Sequence, residues 1–184
     1  MIPTFFASPA RLRQLRAAAD ALVGTPFAAN SEAPGADGGI DCVRLLNWLY
    51  RTCGALGPLE IPRQHMDHGQ HSGHSLLIAA FDTWPALTSR FTRVWRACDP
   101  SALQSFSPSV LLPGDALCFR AGLVPHHGGV LLEHGELIHV LRGPGAHVAQ
   151  LDAVVRRRRL LGYLAAVYRP LPLSDQQSAL SDQP

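Results

Sequence analysis

The order of hydrophobic patterns predicts an α+β fold, with helices early and an antiparallel sheet late. Apolar residues recur at helical spacing in the first 54 positions, whereas from Phe91 onward they come in short alternating runs separated by Gly, Pro and Asp. At 184 residues the chain is long enough to bury one core without covalent staples. We therefore expect a single domain over 1–169. The Ser, Asp, Gln and Pro of 170–184 predict a disordered tail.

Ser8-Pro9 supplies a helix N-cap with proline at the first helical position, and Leu12, Leu15, Ala19 and Leu22 follow at helical spacing until Gly24. A helix over 9–23 results. After a loop from Asn30 to Gly39, Asp41 can cap a second helix whose stripe is Leu45, Leu46, Leu49, Tyr50 and Cys53, stopped by Gly54. Residues 55–74 carry Pro58, Pro62 and three glycines without periodicity and read as irregular; Ser75 to Trp84 fits a short helix. Strands are expected over Phe91–Trp95, Ala116–Arg120, Gly129–Glu133, Leu137–Leu141, His147–Leu151 and Leu160–Arg169, with a turn at Leu112–Asp115 and a tight hairpin turn over Glu133–Glu136. N-terminal helices packed on a five- to six-stranded antiparallel sheet follow from that order.

Composition narrows the classes. All basic residues are arginine and the formal charge is only +2, too small an excess to make nucleic acid the main partner. Cys42, Cys53, Cys98 and Cys118 are scattered with no CxxC spacing, which argues for thiols over a zinc site or a disulfide framework. The first residues lack a basic segment and an apolar core, and no run approaches the ~18 apolar residues that span a bilayer. Cytoplasmic synthesis without a signal peptide, and no membrane partner, are the expectations.

The chemistry is concentrated at three places. Cys42 falls at the start of the second helix, and His127 and His139 fall at strand-like positions downstream. Unpaired N–H groups and the positive end of the helix dipole stabilise a thiolate, which becomes a nucleophile if an imidazole takes its proton and a third polar group orients that imidazole. Cys42 is then expected as a thiolate at neutral pH. Alternation sends His126 and His127 to opposite sides of their strand, and the Gly128-Gly129-Val130 continuation makes His127 the inward base, with His126 at the rim. A hairpin of this length would set His139 opposite His127. The alternatives are ordinary ones: a cysteine on a core-facing stripe is commonly a small buried hydrophobe, and a histidine between Ile138 and Val140 can be a satisfied core residue.

Gly24-Thr25-Pro26-Phe27, Asp41-Cys42, Leu112 to Phe119, His127-Gly128-Gly129-Val130 and Ile138-His139 together resemble the signatures of the NlpC-type cell-wall cysteine peptidases, a branch of the papain-like superfamily. The resemblance runs from about residue 10 to 169, nearly the whole domain. It implies a papain-like NlpC-type fold, a triad of Cys42 (nucleophile), His127 (base) and His139 (orienting member), no cofactor or metal, and peptidoglycan stem peptides as substrate. The Gly-Thr-Pro-Phe form looks more like versions encoded among phage-tail or gene-transfer-agent genes, which would make tail proteins partners. Where many relatives carry a substrate-binding tyrosine this chain has Phe27, and where they carry serine and glycine after the cysteine it has Val43 and Arg44. Of the pocket that reads a free peptide amine in some relatives, only Asp41 remains. A catalytically weak tail-assembly protein on the same fold and a triad-bearing acyltransferase are the competing functions.

Two further features stand outside that scheme. His65, His68, His71 and His74 recur every third residue, a density that invites a metal, but Gly69 and Gly73 disfavour a helix and a polar loop beside the cleft is the simpler reading. Arg156 to Arg159 reads as a solvated strand edge, with an anionic glycan or partner as the sharper alternative.

Overall fold

The computed structural model describes residues 2–63, 75–97, 107–120, 125–151 and 164–173. Helix α1 (Pro9–Leu22) begins as its sequence dictates, with the Ser8 hydroxyl accepting from the Arg11 N–H, and buries Leu15, Ala18, Ala19 and Leu22. Helix α2 (Cys42–Thr52) is capped by Asp41 and followed by Gly54 at φ 70°. Helix α3 (Leu76–Thr83) is capped by Ser75, and one further turn, α4 (Pro85–Thr88), leads into the sheet.

Six strands form one antiparallel sheet: β3 (Phe91–Arg96), β4 (Ala116–Arg120), β5 (Pro125–Leu131), β6 (Glu136–Leu141), β7 (Gly145–Gln150) and β8 (Leu164–Pro170). Their spatial order is β3-β8-β4-β5-β6-β7, so the last strand inserts between the first two. A small hairpin of β1 (Glu32–Ala33) and β2 (Gly39–Ile40), not foreseen in the Asn30–Gly39 loop, leads straight into α2.

Alternation splits the sheet into two faces. Cys118, Val130, Ile138 and Tyr168 join α1, α2 and α3 in the larger core. Leu117, Phe119, Leu131, Leu137 and Val167 belong to a second cluster with Val94, Trp95 and Leu111 packed against it. A buried clasp fastens the chain ends to this sheet. The Arg169 guanidinium donates from Nε and Nη2 to the two Asp115 carboxylate oxygens at 2.8 Å each, and also reaches the carbonyls of Ile2 and Val110.

Several boundaries move. Strand β5 starts before His127 and ends at Leu131, because Glu133–Gly135 coils into a single 3-10 turn with His134 at φ 58°. The ordered domain extends past 169: Pro170 pairs with Phe91, the Leu171 N–H bonds the Arg90 carbonyl, and Leu173 packs on the core. The histidine repeat at 65–74, the arginines at 156–159, Cys98 and residues 174–184 lie outside the described residues.

Candidate active site

The approach to Cys42 is built from short backbone bridges. The Ala28 N–H bonds the Ile40 carbonyl at 3.1 Å and the Ile40 N–H bonds the Pro26 carbonyl at 2.9 Å, which sets Phe27 beside the strand that delivers Asp41 and Cys42. Just upstream, Gly24 and Thr25 exchange hydrogen bonds of 2.9 and 2.8 Å with Ala146 of β7. One segment, 24–28, thus ties the start of α2 to the strand hairpin that carries the histidines.

Asp41 holds the helix start. Its Oδ1 accepts from the Arg44 backbone N–H at 2.9 Å, while Oδ2 accepts from the Asn30 N–H at 2.8 Å and from Arg44 Nη1 at 2.7 Å. The buried guanidinium of Arg44 continues to the carbonyls of Ile61 and Pro62 at 3.2 and 3.3 Å. A carboxylate with a cation and two amides on it has its acceptor capacity largely filled. Val43 and Phe27 are half-buried and pack against the core, and the Arg142 guanidinium sits over the Phe27 ring, 5.5 Å from its centroid.

Cys42 is the first residue of α2 and is partly exposed. Backbone N–H groups of Gly128, Cys42 and Val43 hydrogen-bond its sulfur and favour the anion, but burial of the sulfur, helped by the charge of Asp41, outweighs them and pushes the thiol up to about 11. The expectation of a resting thiolate is therefore corrected: desolvation wins over the helix terminus. Gly128 follows His127 directly, so its amide brings the thiol alongside the histidine strand.

His127 and His139 are joined: Nε2 of His127 lies 3.1 Å from Nδ1 of His139. Their register differs from expectation. Gly129, not His127, stands opposite His139, and His127 lies diagonally, two residues along the same face. The diagonal reach works because position 129 is empty of side chain. A Cβ there would stand 3.1 Å from the His139 Cβ and 2.9 Å from the Ile138 carbonyl oxygen. His139 is buried, and Phe119, the cross-strand partner of His127, flanks the His127 ring with centroids 6.0 Å apart. The His126 side chain lies outside the described part of the structure.

One neighbour was not singled out from the sequence. His147 is the register partner of His139 on β7, and the two rings sit 4.4 Å apart. The signal was available: the Arg142–Pro144 turn pairs Leu141 with Gly145 and so counts His139 onto His147.

No protein-family model matches this chain, and no curated protein does. Solved structures do. A protein similar to lipoprotein of the NLP/P60 family from Staphylococcus aureus aligns over 90% of this chain and 43% of its own, at 15% identity and TM-score 0.53. An NlpC/P60 family protein from Bacillus cereus aligns over 93% of this chain and 42% of its own, at 20% identity and TM-score 0.51. RipD from Mycobacterium tuberculosis, described as a non-catalytic NlpC/p60 domain protein adapted to peptidoglycan binding, aligns over 86% of this chain and 96% of its own, at 15% identity and TM-score 0.47. The chain spans less than half the length of the first two. The first two likenesses establish the fold as that of NlpC/P60 proteins, here α+β with helices on a six-stranded antiparallel sheet.

Proposed function

We propose that this chain is a cysteine peptidase of bacterial peptidoglycan, with Cys42 as nucleophile, His127 as base and His139 as its orienting partner. The observation that carries the reading is the hydrogen bond joining His127 of β5 to His139 of β6, with the Gly128 amide, next to His127, bonding the Cys42 sulfur. With Nε2 of His127 engaged by His139, the proposed acceptor of the thiol proton is Nδ1.

With the thiol protonated at rest, proton transfer and attack are coupled. Cys42 passes its proton to His127 as the sulfur adds to the amide carbonyl carbon, and amides at the start of α2 stabilise the oxyanion. The protonated His127 returns the proton to the leaving amine as the C–N bond breaks, leaving a thioester. Water, deprotonated by His127, then releases the acid and restores the thiol. The chemistry needs no cofactor.

Stem peptides whose amine is already linked are the proposed substrates, since Asp41 carries Arg44 where an ammonium would have to bind. Delivery to the wall by a phage-tail-like particle after cytoplasmic synthesis, with tail proteins as partners, completes the proposal; it draws on the Gly-Thr-Pro-Phe segment. The raised Cys42 thiol gives the competing reading, a binding protein with little turnover, its one specific support. Incubation with purified sacculi separates the two. Soluble peptide fragments released by the wild type and lost on the order of 10³-fold with Cys42→Ala support the peptidase; binding to sacculi with no release by either supports the competitor.

A further inference from the structure

His139 is held from two sides, and only one of them belongs to the proposed triad. His147 stands directly across from it in the β6–β7 register, on the same face of the sheet. Its ring is fixed by its own backbone: Nδ1 lies 3.0 Å from the Gly145 carbonyl oxygen, an acceptor only, so that nitrogen carries a proton. Gly145 is fixed in turn, at φ 70° with Thr25 so close that a Cβ would come within 2.5 Å of its carbonyl oxygen. Turn, carbonyl and ring form one rigid unit. The ring it presents lies 4.4 Å from His139, tilted by 49°.

We propose that His147 is a positioning residue, which holds the His139 ring in the orientation that keeps Nδ1 on His127; as a statement about the reaction this rests on the function proposed above. When His127 is protonated both its nitrogens bear hydrogen, so Nε2 donates and His139 Nδ1 has to accept, leaving the His139 proton on Nε2. A half-turn of the His139 ring would put a carbon where Nδ1 belongs and break that bond. Backbone at Gly129 offers no side chain to prevent the turn, whereas the His147 ring stands against it.

Long-range ¹H–¹⁵N correlation spectra of the imidazoles, read beside hydrolysis of sacculi, test this. The wild type should show His139 as a single neutral tautomer with its proton on Nε2. His147→Ala should broaden or average the His139 nitrogen signals and lower kcat roughly 10-fold at unchanged KM. His147→Phe, which restores a ring without a titrating group, should recover both. His139 signals identical in wild type and His147→Ala would overturn the inference. Signals that change as expected in a protein without hydrolytic activity would uphold the positioning role and sink the proposed function instead.

Discussion

Among the described residues, two buried carboxylate–guanidinium pairs are made of the same groups and put to different use. Asp115 and Arg169 are 54 residues apart, with side chains 0% and 2% exposed, and the arginine gathers the carbonyls of Ile2 and Val110 as well. Asp41 and Arg44 are three residues apart, slightly wetter at 13% and 8%, and among the described residues bond the helix start, Asn30 and the carbonyls at 61–62. The first pair closes distant segments of chain around the sheet. The second occupies the carboxylate next to Cys42, the proposed nucleophile. Sequence separation therefore decides what an ion pair does here, more than its chemistry.

The sharpest way to break the comparison is to remove one partner of each pair. Asp115→Ala leaves Arg169 buried without its counter-charge and should cost about 3–5 kcal/mol in urea unfolding, whereas the double change Asp115→Leu with Arg169→Met should recover most of it. Burial raises the Asp115 carboxyl even with Arg169 in place, which shows how heavily desolvation already counts at that site. A loss below about 1 kcal/mol for Asp115→Ala would put the clasp among ordinary surface pairs.

Arg44 should respond through specificity. In the wild type, intact or glycan-attached stem peptides should be cleaved at least as well as peptides with a free amino terminus, because Arg44 and two amides largely fill the acceptor capacity of Asp41. Arg44→Ser frees that carboxylate and should move the kcat/KM ratio toward free-amine peptides by roughly 10-fold, or 1.4 kcal/mol. A wild-type preference near 100-fold for free amines would mean that another group reads the ammonium and that Arg44 does not fill the pocket.

Much of this was legible in the chain because it is local. Ser8 and Asp41 cap the helices they were expected to cap, Cys42 opens α2, and α3 falls inside the expected Ser75–Trp84 span with Ser75 as its cap, since each depends only on residues within one turn. The hairpin turn was placed within a residue, but register is unforgiving: the observed turn centres on His134, whose left-handed backbone is invisible in composition, and His139 lands opposite Gly129. Arg44 stood out in the sequence only as a departure from the family's pattern. Its burial depends on Ile61 and Pro62 folding back, a contact with no local signature. The Cys42 proton followed the same pattern, as helix position is local and argues for a thiolate, whereas desolvation is a property of the assembled core.

Cys42 is where the whole account can be tested most directly, by alkylation with iodoacetamide followed by mass mapping and residual hydrolysis. A thiol raised to about 11 is protonated at neutral pH, so its alkylation should accelerate steadily as pH rises from 7 toward 10 rather than level off in the acid range. Cys53 and Cys118 are fully buried and should stay unlabelled in the folded protein. The account predicts one equivalent of label at Cys42 and loss of sacculus hydrolysis in step with it; hydrolysis that survives complete labelling of Cys42 would contradict it.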